Sequence, residues 1–350
     1  MIDEEDTNEE SKRKLVTIQT IENIESIEGK DRIVKATILG WNVVVAKDNN
    51  YKEGQKIIYA EYNSLLPDGP EWAEFMREKK FRIKTIKLGG CLSQGLVFPT
   101  SILPGAEEME IDTDVTGLLG IKKYEQIFHE HNGGAKQGKA KGNFPACVPK
   151  TDEIRLQAKK RLIEELKAAG SFYISIKLDG MSGTFCYDND EFCACSRKFK
   201  KHDDDINVFW KMARKYNLPE VLKGTNLAAQ GEMVGPGIQG NKLCLTEVDW
   251  RVFDLFDITN QKYCGYEEMV KFCKDNGLTT VPIENVITDT SSFDFSLEAW
   301  LKRAEGLYEG TKRNREGIVV RPLIITHSNI LQGRLSFKVI NNQFLLENKE

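Results

Sequence analysis

The sequence predicts an α+β protein in which a small β-barrel precedes a larger domain built on antiparallel sheets. Three observations lead to this prediction. The chain has 350 residues, which is long enough for two hydrophobic cores. Short strand-like runs dominate residues 15–104, and runs of this length separated by Gly, Asn and Asp turns suit a small barrel. After residue 149, helical and strand-like runs follow in mixed order, which is typical of α+β domains.

The strand candidates of the first domain are rich in β-branched and aromatic residues. They are Leu15–Ile21, Ile33–Leu39, Trp41–Ala46, Lys56–Tyr62, Phe81–Leu88 and Gly95–Pro99. One short helix is predicted at Glu71–Lys79. Arg82, Lys84 and Lys87 alternate along one predicted strand, so they would project from one face. That face is either a nucleic-acid surface or an ordinary solvated face of a sheet.

Two polar segments divide the chain. Residues 1–13 are acidic and then basic, and they are predicted to form a disordered tail before a first domain at 14–120. Residues 121–148 are predicted to be a linker or mobile segment before a second domain at 149–350, because 129–143 are polar and rich in glycine. The run from Gly133 to Lys139 approaches a phosphate-binding loop. Ala140 stands where that loop needs a hydroxyl, so composition explains the run better.

The second domain is predicted to contain helices interspersed with strands. The helical runs are Asp152–Ala169, Ile206–Tyr216, Glu267–Asn276 and Ser296–Tyr308. The strand-like runs are Phe172–Lys177, Thr184–Tyr187, Thr225–Gln230, Val248–Asp257, Glu316–Arg321 and Leu335–Ile340. Turn residues separate the first two strands, so we expect a hairpin with Lys177 at its mouth.

Composition excludes several classes of protein. The formal charge of −4 means that any nucleic-acid surface must be local. No apolar run approaches the length that spans a membrane, and the N-terminus lacks the apolar core of a signal peptide. Eight cysteines without C-x-x-C spacing predict free thiols and a reducing intracellular compartment. Four dispersed histidines are too few for an all-protein metal cage.

The first chemical candidate is Lys177, which is followed by Asp179 and Gly180 in a Lys-x-Asp-Gly sequence. A buried amine beside cationic groups can lose its proton and act as a nucleophile. This short pattern also fits a surface lysine on an ordinary hairpin. The rest of the chain must decide between the two interpretations.

Further candidates follow Lys177 at predicted strand ends or within strands. They are Arg197, Glu232, Phe253, Glu316 and Lys338. Taken singly, each has an ordinary explanation as a surface ion pair, a surface carboxylate or a core aromatic. Their joint presence in one order is what makes a nucleotide site the stronger interpretation.

The candidates can perform one coherent reaction. Attack of Lys177 on a nucleotide α-phosphate needs a neutral amine and cations on the phosphate oxygens, which Lys338 and a divalent metal could supply. Mg²⁺ is commonly held by few carboxylates together with waters and phosphate, which suits Asp179, Glu232 and Glu316. A flat aromatic side chain such as that of Phe253 can stack on a base.

The order Lys-x-Asp-Gly, Ser-Arg, Gly-Glu, Val-Phe-Asp, Glu-Gly-Ile-Val-Val-Arg, Phe-Lys resembles the covalent nucleotidyltransferase superfamily of ligases and mRNA capping enzymes. A β module in front and only Val339–Glu350 after Lys338 is similar to the Deinococcus/Naegleria type of ATP-dependent RNA ligase. That resemblance implies an N-terminal OB-type barrel followed by a nucleotidyltransferase domain. It covers essentially residues 14–347, including Pro149-Lys-Thr-Asp-Glu-Ile-Arg155.

The resemblance also implies roles for individual residues. Lys177 would be the adenylated nucleophile, and Asp179 would help bind metal-bound waters or the ribose. Arg197 would contact the ribose or the nucleic-acid end. Glu232 and Glu316 would hold the water shell of the metal.

Three further roles concern the base and the phosphates. Phe253 would stack on adenine, Lys338 would bind the α-phosphate, and Arg155 would lie on the pyrophosphate side. The sequence departs from the family at one point, because many ligases have Lys-x-Lys where Ile340 follows Lys338 here. A second phosphate-binding lysine therefore cannot be assigned from the sequence.

The function implied is an ATP-dependent RNA ligase that uses Mg²⁺ or Mn²⁺. It would join RNA 3′-OH and 5′-phosphate ends, mainly at nicks in duplexes, through a lysyl-AMP intermediate, and it would act as a monomer. The front barrel, with Arg82, Lys84 and Lys87, would help capture the nucleic acid. The alternatives are a guanylyltransferase of the capping type and a non-catalytic RNA-binding protein with a ligase fold. The sequence leaves open whether the 5′-phosphate strand could be DNA.

Overall fold

The computed structural model describes residues 14–124 and 138–347, and the chain divides into two compact units, Met1–Gln126 and Ile127–Glu350. The predicted acidic tail and most of the glycine-rich stretch within the predicted linker lie outside the described residues. The last part of the predicted linker is structured, because residues 140–143 form a strand of the second unit.

The first unit consists of short strands arranged in small sheets. The strands are β1 Val16–Thr20, β2 Asn23–Ile27, β3 Lys30–Ile38, β4 Trp41–Ala46, β5 Lys56–Ala60, β6 Ser64–Leu65, β7 Thr85–Leu88, β8 Cys91–Gln94, β9 Leu96–Phe98 and β10 Lys122–Lys123. The order is β1-β5-β9 in one sheet and β2-β3-β4 in another, and β6 pairs with β10 and β7 with β8. Every pairing is antiparallel.

Alternation of apolar residues explains how these strands bury one face. Trp41, Val43 and Val45 on β4 are buried, whereas the residues between them are partly exposed. The bounds predicted for β4 agree with the structure. The helix predicted at Glu71–Lys79 is also present, as a 3₁₀ helix that buries Ala73 and Met76.

The predicted basic face on one strand is wrong. β7 begins only at Thr85, so Arg82 and Lys84 precede it and do not alternate with Lys87 along a strand. Arg82 instead donates a hydrogen bond to Asn63 at 3.2 Å, and its guanidinium lies 3.6 Å from the ring centre of Tyr124. Lys84 and Lys87 are exposed. Phe81 and Ile83 are buried on either side of Arg82, which forms only an isolated antiparallel bridge with Leu65, so apolar residues alternate here without a continuous strand.

The second unit mixes strands and helices. Its strands are β11 Ala140–Asn143, β12 Ile154–Arg155, β13 Phe172–Lys177, β14 Met181–Asp188, β15 Glu191–Ser196, β16 Phe199–Lys201, β17 Leu227–Val234, β18 Asp249–Asp257, β19 Lys262–Tyr263, β20 Thr279–Thr280, β21 Ile283–Ile287, β22 Gly317–Pro322, β23 His327–Ser328, β24 Gly333–Arg334 and β25 Phe337–Ile340. Its helices are α1 Leu162–Ala169, α2 Val208–Lys215, α3 Leu218–Leu222, α4 Tyr266–Asp275, α5 Leu297–Ala304 and α6 Asn342–Glu347. Short 3₁₀ turns complete both units, at Lys47–Asn49, Thr100–Ile102 and Leu156–Lys159.

Two sheets form the frame of this unit. The eight-stranded sheet has the order β11-β16-β15-β14-β17-β18-β19, with β20 beside β18, and the five-stranded sheet has the order β12-β25-β22-β13-β21. The pairs β12/β25 and β18/β20 are parallel, and the other pairs in these two sheets are antiparallel. Apolar residues of α2, α3 and α4 pack on the larger sheet, and those of α1 and α5 pack on the smaller one. Each sheet therefore buries one face under helices, as the predicted α+β class requires.

The hairpin predicted around Lys177 is wrong. β13 pairs with β21 and β22 in the smaller sheet, whereas β14 pairs with β15 and β17 in the larger one. Residues 178–180 thus carry the chain from one sheet to the other. Gly180 permits this crossing, because a Cβ there would meet the Met233 carbonyl oxygen at 2.2 Å.

The first predicted helix of this unit begins too early. Ile154 and Arg155 form β12, a parallel partner of Phe337 and Lys338, and the α-helix starts at Leu162. The terminator is as predicted, because Gly170 caps the helix with φ +73°. Tertiary pairing with β25 overrides the helical pattern of residues 152–161.

Two findings bear on the cellular setting. All eight cysteines lie within the described residues and have free thiols. Within residues 14–124 and 138–347, every helix is too short or too polar to cross a membrane.

Candidate active site

Strand pairing positions the predicted nucleophile. Lys177 is the last residue of β13 and lies opposite Gly317 of β22, which places it beside Glu316. Lys177 Nζ donates a hydrogen bond to Glu316 Oε2 at 2.7 Å, and the two side chains are only 24% and 19% exposed. Gly317 is needed here, because a Cβ would meet the Val339 carbonyl oxygen at 2.1 Å. The close packing of β22 against β25 thus sets the position of the Lys177–Glu316 pair.

Glu232 reaches the same place from the larger sheet. It lies on β17 opposite Ser182 of β14, and its Cγ lies 2.9 Å from the position that a Gly180 Cβ would occupy. Burial, followed by the charges of Glu316 and Asp179, raises the pKa of Glu232 to about 8. Burial and the charge of Glu316 likewise raise the pKa of Asp179 to about 6. The three carboxylates therefore lie close enough to repel one another.

A second lysine, absent from the sequence prediction, balances part of this charge. Lys242 lies between β17 and β18 and pairs with Asp179 Oδ2 at 2.9 Å. Its ammonium lies 4.1 Å from the ring centre of Phe344. Two cations and three carboxylates form what we call the lysine cluster: Lys177, Asp179, Glu232, Lys242 and Glu316.

A buried tyrosine joins the backbone of this cluster. The Tyr308 hydroxyl accepts hydrogen bonds from the N–H groups of Asp179 at 3.0 Å and Glu316 at 3.1 Å, and donates one to the Lys177 carbonyl at 3.1 Å. Its ring is packed in the core, with 4% of the residue exposed. Burial raises the pKa of Tyr308 far above the physiological range, so the hydroxyl keeps its proton. One donor and two acceptor sites are all that a hydroxyl has, and all are used.

The surroundings of Lys177 correct the predicted means of activation. Burial lowers the pKa of this lysine, but the charges of Glu316 and Glu232 outweigh burial, and the pKa is raised overall. The sequence predicts cationic neighbours for this amine, but the groups in contact with it are carboxylates. The amine therefore becomes nucleophilic only when added positive charge offsets these carboxylates.

The two other predicted phosphate ligands lie on neighbouring strands. Lys338 of β25 faces Val319 of β22 on one side and Arg155 of β12 on the other. Lys338 and Lys177 thus flank the same strand, two positions apart along it. Both predicted phosphate ligands are shielded from water, because Arg155 is 6% exposed and the Lys338 side chain is 16% exposed.

An aspartate connects Lys338 with Arg197. Asp152 Oδ1 lies 3.3 Å from Lys338 Nζ, and its Oδ2 accepts a hydrogen bond from Arg197 at 2.8 Å. Arg197 directly follows β15, which ends at Ser196. The Asp152 carboxylate lies between two side chains that the sequence assigned to phosphate or ribose, so these cations meet an anion of the chain itself.

Phe253 lies at an irregularity of the larger sheet. The ladder between β17 and β18 shifts register at Gln230 and Gly231, and Phe253 is the extra residue on β18. The ring is partly buried and packs against the cluster that contains Leu178 and Tyr308. A bulge re-aims a side chain, and here it turns an aromatic ring toward the segment that follows the nucleophile.

Comparisons with known proteins agree with this geometry. An RNA ligase family model matches residues 170–340, and an OB-fold domain model matches residues 15–100. A mutant Naegleria gruberi RNA ligase with ATP and Mn is 31% identical with a TM-score of 0.83, covering 96% of this chain and 99% of that chain. Another mutant of that ligase, with AMP and Mn, is 30% identical to this chain with a TM-score of 0.84. The Naegleria gruberi ligase with PPi is also 30% identical, with a TM-score of 0.83. Each of these two matches covers 96% of this chain and 99% of the other chain. This chain belongs to the RNA ligase family. The comparison with curated proteins found no match.

The family and fold predicted from the motif order are confirmed. The ligase is an α+β protein with an N-terminal OB fold and a catalytic unit of the RNA ligase type. The prediction that it is an ATP-dependent RNA ligase enzyme is also confirmed. The roles of its individual residues remain predictions.

The ligase also contains a second buried ionic network, which we call the arginine cluster: Glu153, Asp254, Arg321 and Arg334. Both guanidiniums contact both carboxylates, at 2.8 and 3.1 Å for Arg321 and at 2.5 and 3.5 Å for Arg334. Arg321 also donates to the Phe253 carbonyl at 2.8 Å, so this network fixes the backbone under the predicted base platform. Arg321 is the last residue of the Glu-Gly-Ile-Val-Val-Arg motif.

The structure brings most predicted site residues together and adds three. One group surrounds Lys177 and consists of Asp179, Glu232 and Glu316. The other group lies around Asp152 and β25 and consists of Arg155, Arg197 and Lys338. The added residues are Asp152, Lys242 and Tyr308. Of these three, only Asp152 lies in a segment that matches the family, the one from Pro149 to Arg155. The sequence places Tyr308 at the end of a predicted helix and Lys242 in no motif.

The lysine cluster fits a divalent cation held through water. Within the described ranges, no group of three or more His, Cys, Asp or Glu side chains has the geometry of a direct metal cage. The carboxylates of the cluster nevertheless outnumber its cations, and two of them have raised pKa values. Mg²⁺ usually keeps several waters and binds few carboxylates, so its chemistry matches such a set.

Proposed function

We propose that this ATP-dependent RNA ligase joins an RNA 3′-OH end to a 5′-phosphate end through a lysyl-AMP intermediate, principally at nicks in duplexes. One observation carries the proposal. Lys177 is buried against Glu316, shares its site with Asp179 and Glu232, and flanks the same strand as Lys338. Structures of the Naegleria gruberi relative contain ATP, AMP, Mn and PPi, the groups expected for such chemistry.

The first step is transfer of AMP to Lys177. The neutral amine attacks the α-phosphorus of ATP, the bond from that phosphorus to the bridging oxygen breaks, and pyrophosphate leaves. The amine loses a proton and a phosphorus–nitrogen bond remains. Lys338 would neutralise the α-phosphate oxygens, and Arg155, its neighbour on β12, would do so on the pyrophosphate side.

The carboxylates control when the lysine can react. Asp179, Glu232 and Glu316 would hold Mg²⁺ or Mn²⁺ through its waters, and the bound ion would supply positive charge at the α-phosphate. The charges that hold a proton on Lys177 in the empty site would then be offset. The same residues thus keep the amine protonated without nucleotide and allow its deprotonation with it.

Two further steps complete ligation. An oxygen of the RNA 5′-phosphate attacks the phosphorus of lysyl-AMP, the phosphorus–nitrogen bond breaks, and the lysine recovers its proton. The 3′-OH then gives up its proton to solvent and attacks the 5′-phosphorus, the bond from that phosphorus to the bridging oxygen of AMP breaks, and AMP leaves. Arg197, which pairs with Asp152 in this structure, would contact the ribose or the nucleic-acid end, and Phe253 would stack on adenine.

The remaining roles concern the setting of the reaction. The first domain, at 14–120, would hold duplex RNA through exposed basic residues such as Lys84 and Lys87. Arg82 would act there mainly by supporting the loop, given its contact with Tyr124. The ligase would work as a monomer in a reducing compartment, which suits its free thiols.

Labelling tests the nucleophile. The ligase is incubated with ATP labelled at the α-phosphate and Mg²⁺ or Mn²⁺, and the labelled protein is counted after denaturing gel electrophoresis. The adduct should survive alkali and lose its label in acid, as a phosphorus–nitrogen bond does. Lys177→Ala should form none. Lys200→Ala is the matched control, because Lys200 is also partly buried and paired with a carboxylate, Asp188, and it should label fully. Label from GTP and not ATP would indicate a guanylyltransferase, and label on Lys177→Ala would refute the assigned nucleophile.

Sealing assays test the substrate. Nicked duplexes with RNA or DNA on either side of the nick are offered to the ligase, and joined strands are measured. An RNA 3′-OH side should be required. Lys84→Ala combined with Lys87→Ala should slow sealing while leaving adduct formation unchanged; equal loss of both would show that these lysines do not hold the nucleic acid.

A further inference from the structure

The feature that carries this inference is the Tyr308 hydroxyl. It contacts the backbone of Lys177 and Asp179, which precede it by 131 and 129 positions, and of Glu316, which follows it by 8 positions. Each of them has an assigned role, as the nucleophile or as a carboxylate of the lysine cluster. A structural tyrosine of the core needs one partner for its hydroxyl, and this one uses every hydrogen-bonding site it has on the residues of the reaction.

The loop that presents Tyr308 is itself braced. Leu307 and Asn314 form an isolated antiparallel bridge, and the Tyr308 N–H donates to the Arg313 carbonyl at 3.0 Å. Asn341 Nδ2 donates to the carbonyls of Arg315 at 3.0 Å and Gly306 at 3.4 Å, at the two ends of this loop.

Arg315 fastens the loop to its surroundings. Its guanidinium donates to Glu284 Oε1 at 2.5 Å, to the Ala304 carbonyl at 3.3 Å and to the Arg303 carbonyl. The loop therefore cannot shift without breaking several buried or partly buried hydrogen bonds, and Tyr308 is held in a fixed position.

We propose that Tyr308 is a positioning residue for adenylylation, whose hydroxyl sets the separation of the Lys177 amine from the carboxylates of Asp179 and Glu316. This inference rests on the proposed lysyl-AMP reaction. It concerns how the site is aligned and not which residue is the nucleophile. The crossing from β13 to β14 at residues 178–180 has no ladder of its own, so the alignment there depends on another group.

The expected effect follows from the geometry of attack. A misplacement of about 1 Å in a reacting group can cost roughly 100-fold in rate. Tyr308→Phe keeps the packed ring and removes only the hydroxyl. It should lower the maximal rate of adduct formation by about 10- to 100-fold while changing the KM for ATP by less than about threefold. Loss of nucleotide binding would instead raise the KM.

A second reaction distinguishes misalignment of the active site in Tyr308→Phe from a simple loss of folded protein. Joining of a pre-adenylylated RNA end does not use the Lys177 amine as nucleophile, so Tyr308→Phe should impair it less than adduct formation. The ratio of the rate of adduct formation to the rate of joining does not depend on the folded fraction of the preparation, and Tyr308→Phe should lower it. A variant that merely unfolds would lower both rates by the same factor.

Tyr187→Phe is the matched control. Tyr187 donates its hydroxyl to the Pro219 carbonyl at 3.0 Å, at the far end of β14 from the crossing. Removing that hydroxyl frees one carbonyl, whereas Tyr308→Phe frees three backbone groups, so Tyr187→Phe should lower thermal stability less and leave the ratio of the two rates unchanged. If Tyr308→Phe does not fold, Asn341→Ser, which loosens the loop at Gly306 and Arg315, should lower the same ratio.

The outcomes distinguish this inference from the proposed function. Wild-type ligase that forms no adduct on Lys177 would overturn the proposed function itself. The wild type could instead label while both Tyr308→Phe and Asn341→Ser keep an unchanged rate ratio. That result would leave the proposed function intact and refute the positioning role of Tyr308. A lowered ratio with a nearly constant KM supports the role.

Discussion

The lysine cluster and the arginine cluster are both ionic networks buried in the same unit, yet they are built differently. The arginine cluster has two cations and two carboxylates, and each guanidinium contacts both carboxylates. The lysine cluster has two cations and three carboxylates, and the pKa of Glu232 is raised to about 8. The first network is balanced by its own side chains, whereas the second reaches balance by keeping a proton on Glu232, which a bound cation would replace.

This difference indicates where function resides in the catalytic unit. A balanced buried network costs little once it is formed, but removing one member leaves an uncompensated charge. An unbalanced network already carries such a cost in the empty protein, and a bound cation relieves it. Stability should therefore be sensitive to the arginine cluster, and activity to the lysine cluster.

The largest expected effect is on stability, from breaking the arginine cluster. Asp254→Asn leaves two buried guanidiniums facing only Glu153 and should lower the free energy of unfolding by about 3–5 kcal/mol, measured by denaturant titration. Adding Arg334→Met restores the balance of charge between Arg321 and Glu153 and should recover part of that loss. A single variant within about 1 kcal/mol of the wild type would contradict the structural role of this network.

The next effect is on activity, from Glu316→Gln in the lysine cluster. Its carboxylate lies 2.7 Å from the nucleophile, and the amide of Gln carries no negative charge to attract a cation, so adduct formation should fall about 100-fold at saturating ATP. The free energy of unfolding should not fall as it does for Asp254→Asn. Glu153→Gln is the control in the other network, with the opposite result expected: reduced stability and normal adduct formation by the folded protein.

The pH dependence of stability provides a third test. The raised pKa of Glu232 means that the folded ligase keeps a proton that the unfolded chain releases above its ordinary pKa. Its contribution to stability is therefore complete below that ordinary value and is lost as the pH rises toward about 8. Glu232→Gln should become more stable than the wild type by up to ~1.4 kcal/mol per pH unit across this window, without metal.

The control for this test is Glu74, a carboxyl whose pKa is lowered in the folded protein. Arg77 lowers the pKa of the exposed Glu74 carboxyl, so that group is ionised in both states above about pH 5. Glu74→Gln should show no such slope between pH 5 and 8. A flat difference for Glu232→Gln over the same range would show that the lysine cluster carries no excess charge.

The smallest expected effect comes from Lys242→Met. Lys242 lowers the pKa of Asp179, which burial and Glu316 raise to about 6. Without it that pKa should rise further, so Asp179 would be protonated at a higher pH and the ratio of adduct formation at pH 8 to that at pH 6 should increase roughly threefold to tenfold. Met keeps the packing on Phe344. Lys200→Met should leave the ratio unchanged.

The sequence predicted which residues form the site better than how they come together. The order from Lys177 to Lys338 identified the family because each motif is local. The hairpin at Lys177 was wrong because Asp-Gly and Ser-Gly indicate that the chain turns and do not show which strand it joins next. The true partner of Lys177 is Gly317, and such a pairing is set by the whole sheet.

The residues that escaped prediction act through long-range contacts. The three partners of the Tyr308 hydroxyl include Asp179 and Lys177, at separations of 129 and 131 positions, and no local pattern marks such a residue. Alternation places Arg82 on a basic strand face, but its two partners in the structure, Asn63 and Tyr124, lie well outside that strand. Side chains that connect distant segments are identified only once the strands are paired.

The pairing of Lys177 with Gly317 also limits how the chain length can change. A strand that gains one residue turns its following side chains to the opposite face. One residue inserted within β13 would therefore turn the Lys177 side chain away from Glu316 while leaving every motif intact in the sequence. Insertions should be tolerated far better in exposed turns such as Thr259–Gln261. The spacing of residues within β13 is thus as much a part of the active site as Lys177 itself.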